Sequence, residues 1–165
     1  HEEGNRFSLG ELDGSSSERC RALSAAIGNA GLRAPLRSNI RQEIWVKLLG
    51  NLAFNPVSAL TKASMEEIAT DPNARAVAQA MMEEAYAVSA ALGVEMPISV
   101  EQRLAGAEKV GDHKTSMLQD VEAAKPIEID GLVGSVLELG AMLDIPMPYT
   151  TTVYACTKLL AQKSA

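Results

Sequence analysis

The sequence predicts a mainly α-helical domain preceded by a short β-α-β segment, on three observations. Apolar residues recur every three or four positions through Ile40, Ile44, Leu48 and Leu52, and again through Val77, Met81, Ala85, Val88 and Leu92. That is the period of one face of a helix. Helix-start signals punctuate the same region: Ser64 with Glu67 makes a capping box, and Asp71 precedes Pro72 at a first helical position. Only the opening residues look extended, where NRFSLGELDG alternates and ends at Asp13-Gly14.

The elements follow in order. Ser15 to Ser17 offer N-caps for SSSERCRALSAAIGNAG, which carries Cys20, Leu23, Ile27 and Ala30 at helical spacing and stops over Asn29 to Gly31. LRAPLRS reads as a brief strand that Pro35 confines to a sheet edge. The first 38 residues are therefore β-α-β, too few strands for a stable sheet, and are expected to be the end of a larger one. Asn39 is the expected cap of IRQEIWVKLLGNLAFN, with Asn55 as the expected helix end before Pro56. SMEEIAT and the long PNARAVAQAMMEEAYAVSAALG follow, the latter stopping at Gly93. Pro97 and Ser99 open SVEQRLAGAEKVG, and a short helix over 113–124 is broken by Lys125-Pro126. IEIDGLVGSVLELGAMLD reads as helix despite Gly131, Gly134 and Gly140, each costing roughly 1 kcal/mol relative to Ala. Close packing of neighbouring helices would explain all three. IPMP is a rigid connector, and TTTVYACTKLLAQK is the last helix.

Composition narrows the function classes. The 165 residues can bury a core without disulfides or metals. With 4% aromatics, that core must be aliphatic, with seven Met among its candidates. A net charge of -6 argues against nucleic acid or an anionic membrane as partner, and leaves room for a small anionic ligand. Cys20 and Cys156 are expected to be buried or partly buried thiols of a reducing compartment, hence a cytoplasmic protein. Apolar runs fall short of membrane-spanning length, and no signal-peptide pattern is visible. His1 and His113 stand apart from any Cys/His cluster, which argues against a transition metal. His1 in place of Met marks the start as an expected truncation boundary.

Two polar patches carry the chemistry. In IWVKLLGNLAFNP, Lys47, Asn51 and Asn55 recur every fourth residue. At about 100° per residue they drift about 40° per step and form a line roughly 12 Å long. The strongest apolar face is centred on Trp45, Leu48, Leu49 and Leu52, and Lys47 points away from it. The line is either a solvated face or a functional wall. Asn is a poor helix former, which favours the wall, while Asn55 before Pro56 also suits a helix C-terminus. The second patch is HKTSMLQDVEAAKPIEID, His113 to Asp130. Thr115 or Ser116 could cap a helix there, and Glu128 lies at a helix start where the dipole stabilises a carboxylate. In isolation both are structural, and His113 reads as a surface or hydrogen-bonding residue rather than a base.

Taken together the patches resemble a known family. W-x-K-L-x-x-N-x-x-x-N-P over Trp45 to Pro56 is followed by S-M-x-x-D from Ser116, with E-I-D eight residues beyond that aspartate. The combination, with the ending GAMLDIPMPYTTTVYACTKLL and the opening SLGELDG, resembles the C-terminal domain of ketopantoate reductase (2-dehydropantoate 2-reductase) over nearly the whole chain. The resemblance implies a multi-helix bundle of the 6-phosphogluconate dehydrogenase C-terminal-like type over 39–165. Residues 1–38 would be the tail of a truncated Rossmann-like nucleotide-binding domain. It implies NADPH-dependent reduction of a small 2-keto acid, 2-dehydropantoate to pantoate in pantothenate and coenzyme A biosynthesis, in a cleft between the two domains. Lys47 would be the general acid, since an ammonium both neutralises and protonates a developing alkoxide. Asn51 and Asn55 would hold the substrate's polar groups, and Ser116 its carboxylate. Glu128 would accept from the substrate hydroxyl, help orient Lys47, and be the one residue here within the cofactor's reach. His113 is given no role. The family's G-x-G-x-x-G loop is absent from this chain. NADPH would thus be bound mainly by a missing N-terminal domain, and this fragment alone would be inactive. Two alternatives stand beside this reading: a related reductase with a different small 2-keto acid, and a non-catalytic helical dimerisation module. Whether the chain forms a homodimer is open.

Overall fold

The computed structural model describes residues 5–164, so His1 lies outside the described residues. Contacts divide the chain into two units, His1–Trp45 and Val46–Ala165.

In the first unit, two extended stretches pair in parallel through isolated bridges, Arg6 with Arg33 and Leu9 with Leu36. The Phe7 and Leu9 N–H groups donate to Arg33 O and Pro35 O at 2.7 and 3.0 Å, and Arg37 N–H donates back to Leu9 O at 2.7 Å. Between the stretches runs helix α1, Glu18–Asn29, capped by Ser17, whose Oγ accepts from Cys20 N–H. The expected β-α-β order is therefore present, with bridges in place of full strands. The turn before α1 is tied down by Glu11, which accepts from Ser17 Oγ and, at 2.6 Å, from Arg19 Nε. The Arg19 guanidinium and the Ser17 hydroxyl hold the Glu11 carboxyl down at about 2. No residue of α1 is buried: its apolar stripe is short, and Leu23 is 51% exposed.

Helix α2, Ile40–Thr61, starts where expected, with Asn39 Oδ1 accepting from Gln42 N–H at 3.1 Å. It does not end at Asn55. It runs on through Pro56 to Thr61. Proline removes the N–H that Leu52 O would accept and ordinarily kinks or breaks a helix. Here burial outweighs that cost: Leu52, Ala53 and Phe54 are 0–1% exposed and Val57 and Ala59 are buried beyond the proline. The helix stops at Lys62, with φ of 62°. At its other end Ile44, placed on the apolar stripe by spacing, is 53% exposed, while Trp45 and Leu49 are buried.

The second unit continues with α3 (Met65–Thr70), α4 (Pro72–Ala91), α5 (Val100–Val110) and α6 (Ser116–Glu122). A π-helical turn, Asp130–Gly134, leads into α7 (Ser135–Met142), and α8 (Pro148–Ser164) follows. Local signals account for most starts. Ser64 and Glu67 form a reciprocal capping box on α3, Asp71 caps α4 ahead of Pro72, and Ser99 with Gln102 boxes α5. Ser64 is 3% exposed and its Oγ accepts from Glu67 N–H at 3.2 Å, so replacing it leaves that first-turn donor without its partner. Ser64→Ala is expected to cost about 1 kcal/mol by urea denaturation, and Ser64→Asp considerably less.

Fully buried apolar side chains come from α2, α3, α4, α5, α6 and α7, with Thr150 and Thr157 of α8 buried beside them, and Phe54 is the one aromatic among the largest. The core is aliphatic and methionine-rich, as composition requires. Helix α8 is fastened to α4 by Glu84, whose carboxylate accepts from the Tyr149 and Thr150 N–H groups at 2.9 Å and from Thr150 Oγ1 at 2.6 Å. An acceptor there satisfies first-turn donors and complements the helix dipole. The glycines differ in their reasons. A Cβ on Gly134 would meet the Tyr154 ring of α8 at 3.4 Å, and one on Gly140 would overlap Met147 Sδ at 2.6 Å. Gly131 faces open space, so close packing does not explain it. Cys20 is partly buried as expected, but Cys156 is exposed, because α8 turns that face to solvent. Among the described residues no helix is long and apolar enough to cross a membrane.

Candidate active site

Lys47, Asn51 and Asn55 lie on one line of α2, and their exposure falls along it. Lys47 is exposed, Asn51 half-buried, and Asn55 7% exposed. The line thus runs from solvent into the protein, with the cation at its open end. Among the described residues none of the three side chains forms a hydrogen bond or ion pair with another residue. For an exposed lysine that is ordinary. Asn55 is only 7% exposed as a residue, and its amide keeps what little solvent access remains. An amide at the inner end of a polar line is suited to a ligand that brings the missing partners.

Beside this line lies a residue that sequence reasoning missed. Arg103 of α5 crosses Gly50 of α2: a Cβ on Gly50 would fall 2.6 Å from Arg103 Cζ. Its Nε is buried without a hydrogen-bond partner, and burial pulls the guanidinium below its ordinary pKa. The one sequence signal was Gly50 itself, a helix-weakening residue inside an apolar helix.

Ser116 and Glu128 sit on separate elements of the same unit. Ser116 is the first residue of α6 and is exposed. The capping role falls to Thr115, whose buried Oγ1 accepts from Leu118 N–H at 3.2 Å. The Ser116 hydroxyl is thereby left without a structural task. Glu128 lies just ahead of the π-helical turn; its carbonyl accepts from Leu132 N–H at 3.1 Å, and its carboxylate is exposed with no partner among the described residues. His113 contributes its backbone: its carbonyl accepts from Met65 N–H at 3.0 Å and links the segment before α6 to α3.

The stretch read as continuous α-helix contains the π turn, in which Ser135 N–H donates five residues back to Asp130 O. Such turns are uncommon and occur frequently at functional sites. Asp130 is held by Tyr154 Oη at 2.6 Å and by Lys158 Nζ at 2.7 Å. The bond from Lys158, and after it that from Tyr154, keeps the Asp130 carboxyl below its ordinary range, and the same Asp130 contact raises Lys158 above its own. A carboxyl lowered on folding contributes stability above its unfolded pKa, about 3.9. That contribution is lost as pH falls through the folded value. Asp130→Asn is therefore expected to lower the urea midpoint at pH 7, with the difference from wild type shrinking below about pH 4. Lys158 has the opposite sign, so its share is present below the ordinary lysine range and lost as pH rises through the raised value. Urea midpoints from pH 2 to 11 check both limbs.

Comparisons with known proteins bear on this arrangement. The family profile described as "Ketopantoate reductase PanE/ApbA C terminal" matches residues 39–161. A 2-dehydropantoate 2-reductase of Mesorhizobium japonicum is 53% identical over 161 residues, which is 98% of this chain and 49% of that protein. The crystal structure of a Ralstonia solanacearum protein is similar at 41% identity with a TM-score of 0.92, over 99% of this chain and 50% of that one. The crystal structure of 2-dehydropantoate 2-reductase from Methylococcus capsulatus is similar at 34% identity with a TM-score of 0.90, over 100% of this chain and 57% of that one. The chain spans about half the length of the curated relatives it matches.

Proposed function

We propose a function from one premise: the chain belongs to the ketopantoate reductase family. Residues 39–165 form the substrate domain of an NADPH-dependent 2-keto acid reductase, and residues 1–38 belong to the end of its nucleotide-binding domain. The reaction is reduction of 2-dehydropantoate to pantoate in the cytoplasm. The observation that carries this reading is the polar line of α2, which runs inward to a largely buried Asn55 whose amide makes no hydrogen bond among the described residues.

The donor set suits a 2-keto acid. 2-Dehydropantoate offers a carbonyl oxygen, a carboxylate and one hydroxyl, and this unit offers an ammonium, two amides, a hydroxyl and a carboxylate. NADPH, when bound, supplies the hydride. As the carbonyl carbon is reduced, its oxygen gains charge, and Lys47 Nζ–H gives it a proton. Asn51 and Asn55 each offer a donor and an acceptor, which hold the substrate's polar groups without adding charge. Ser116 Oγ donates to the carboxylate. Glu128 accepts from the substrate hydroxyl and orients the Lys47 ammonium. A helical module serving only dimerisation has no use for an open amide at the inner end of a polar line.

The test is NADPH oxidation by the full-length gene product with 2-dehydropantoate and a panel of other small 2-keto acids. The highest kcat/KM is expected for 2-dehydropantoate. A higher value for another keto acid would reassign the substrate within the same reaction class. No oxidation with any member of the panel would overturn the reductase reading.

A further inference from the structure

Arg103 is a cation without a counter-ion, although carboxylates stand near it in sequence. Glu101 and Glu108 share its helix, α5, but both turn to Arg75 of α4, at 2.7 and 2.8 Å. The Arg103 side chain has no hydrogen bond or ion pair among the described residues. Its guanidinium instead lies against the backbone of α2 at Gly50. A Cβ there would fall 2.5 Å from Nε and 2.6 Å from Cζ, so only glycine admits the arginine at this depth. Gly50 is next to Asn51 and three residues from Lys47, a spacing at which helix side chains are neighbours. The guanidinium therefore flanks the polar line near its cationic end.

We propose that Arg103 anchors the carboxylate of the 2-keto acid, beside Lys47, as a substrate-binding and specificity-determining residue; this rests on the reductase reading above. A guanidinium stays charged, and its planar fork of Nε–H and Nη–H matches a carboxylate with two parallel hydrogen bonds. Nε is the atom left buried and unpartnered, so a bound carboxylate would satisfy it. In a 2-keto acid the carboxylate and the carbonyl are one bond apart. A carboxylate on Arg103 thereby places the carbonyl oxygen toward Lys47, one helical turn away, and Ser116 Oγ shares the carboxylate from α6. Burial already weakens the hold of Arg103 on its charge, which makes an incoming anion the more favourable partner. A cofactor phosphate offers the same anionic oxygens, and the experiment separates the two sources.

The experiment uses the full-length gene product, with Arg103→Met to keep length and remove charge, Arg103→Lys to keep charge and remove the fork, and Gly50→Ala to displace the guanidinium. For Arg103→Met the expected result is a rise of about 10- to 100-fold in KM for 2-dehydropantoate, the range for losing a charge-assisted bond. kcat should change much less, and KM for NADPH should stay the same. The preference for the keto acid over its neutral amide should fall toward one. Arg103→Lys should lie between wild type and Arg103→Met, and Gly50→Ala should raise the same KM. An unchanged keto-acid KM would overturn the proposal. A rise confined to the NADPH KM would assign the cation to a phosphate and overturn it too, and equal losses on acid and amide would reduce Arg103 to a structural residue. If Arg103→Met loses its cooperative thermal transition, Arg103→Lys decides by the same readouts. Wild type inactive on every 2-keto acid overturns the reductase reading and this assignment with it. Active wild type with an unaffected Arg103→Met overturns this assignment alone.

Discussion

Lys47→Ala is expected to lower kcat of the full-length gene product by about 10²- to 10⁴-fold, the usual contribution of a positioned general acid. The loss should appear in kcat because the proton is needed only as charge develops on the oxygen. KM should move less, since Asn51, Asn55 and Ser116 remain to hold the substrate. Lys47→Arg should rescue little: a guanidinium keeps the charge but gives up its proton far less readily than an ammonium. Folding offers an internal control. Lys47 is exposed and bonds to nothing among the described residues, so the alanine variant should melt with wild type, within about 0.5 kcal/mol. A kcat within threefold of wild type, measured by NADPH oxidation, would remove Lys47 as proton donor (a factor small beside the ~10² minimum).

The second large effect concerns stability. Phe54 sits on the same helix, one residue before Asn55, and is 1% exposed. Phe54→Ala removes the largest fully buried side chain and is expected to cost about 3–5 kcal/mol in urea denaturation. Against a typical domain stability of about 5–15 kcal/mol, that consumes a third of the total or more. Phe54→Leu keeps much of the apolar volume and should cost clearly less, because the cavity is smaller. The alanine variant should also lose activity beyond its unfolded fraction, since Asn55 depends on the packing of its neighbour for its position. A Phe54→Ala midpoint close to wild type would mean that the inner half of α2 is not packed as described.

Much of this was legible locally. The starts of α3, α4 and α5 were written in Ser64, Asp71 and Ser99, because a cap is a contact within four residues. The polar line of α2 was legible for the same reason, as a matter of spacing alone. What spacing cannot carry is depth. It placed Ile44 and Leu92 on apolar stripes, yet both are exposed, while Trp45 and Val94 close by are buried. It could not say that Asn55 is buried and Lys47 open. Pro56 misled for a related reason: a local preference against helix was overridden by burial on both sides of the proline. The ambiguity between Thr115 and Ser116 needed coordinates, because both fit the cap by sequence and only the Thr115 hydroxyl is turned to Leu118 N–H. Arg103 was out of reach, since its contact with Gly50 joins residues 53 positions apart (103 − 50).

The π-helical turn has a consequence for how this part of the molecule can change. A π turn is an α-helix that has taken in one extra residue. Val133 within the turn and Val136 after it are locked into the interior. Glu128 before it and Asp130 at its first position face water. The extra residue acts as a phase adjuster between the two, because each residue of an α-helix turns its neighbours by about 100°. Loss of one codon near Gly131, whose position is open, would restore a regular helix and swing the acidic end to a new bearing. The interior could stay as it is, so the aim of Glu128 is a setting that a single insertion or deletion can alter.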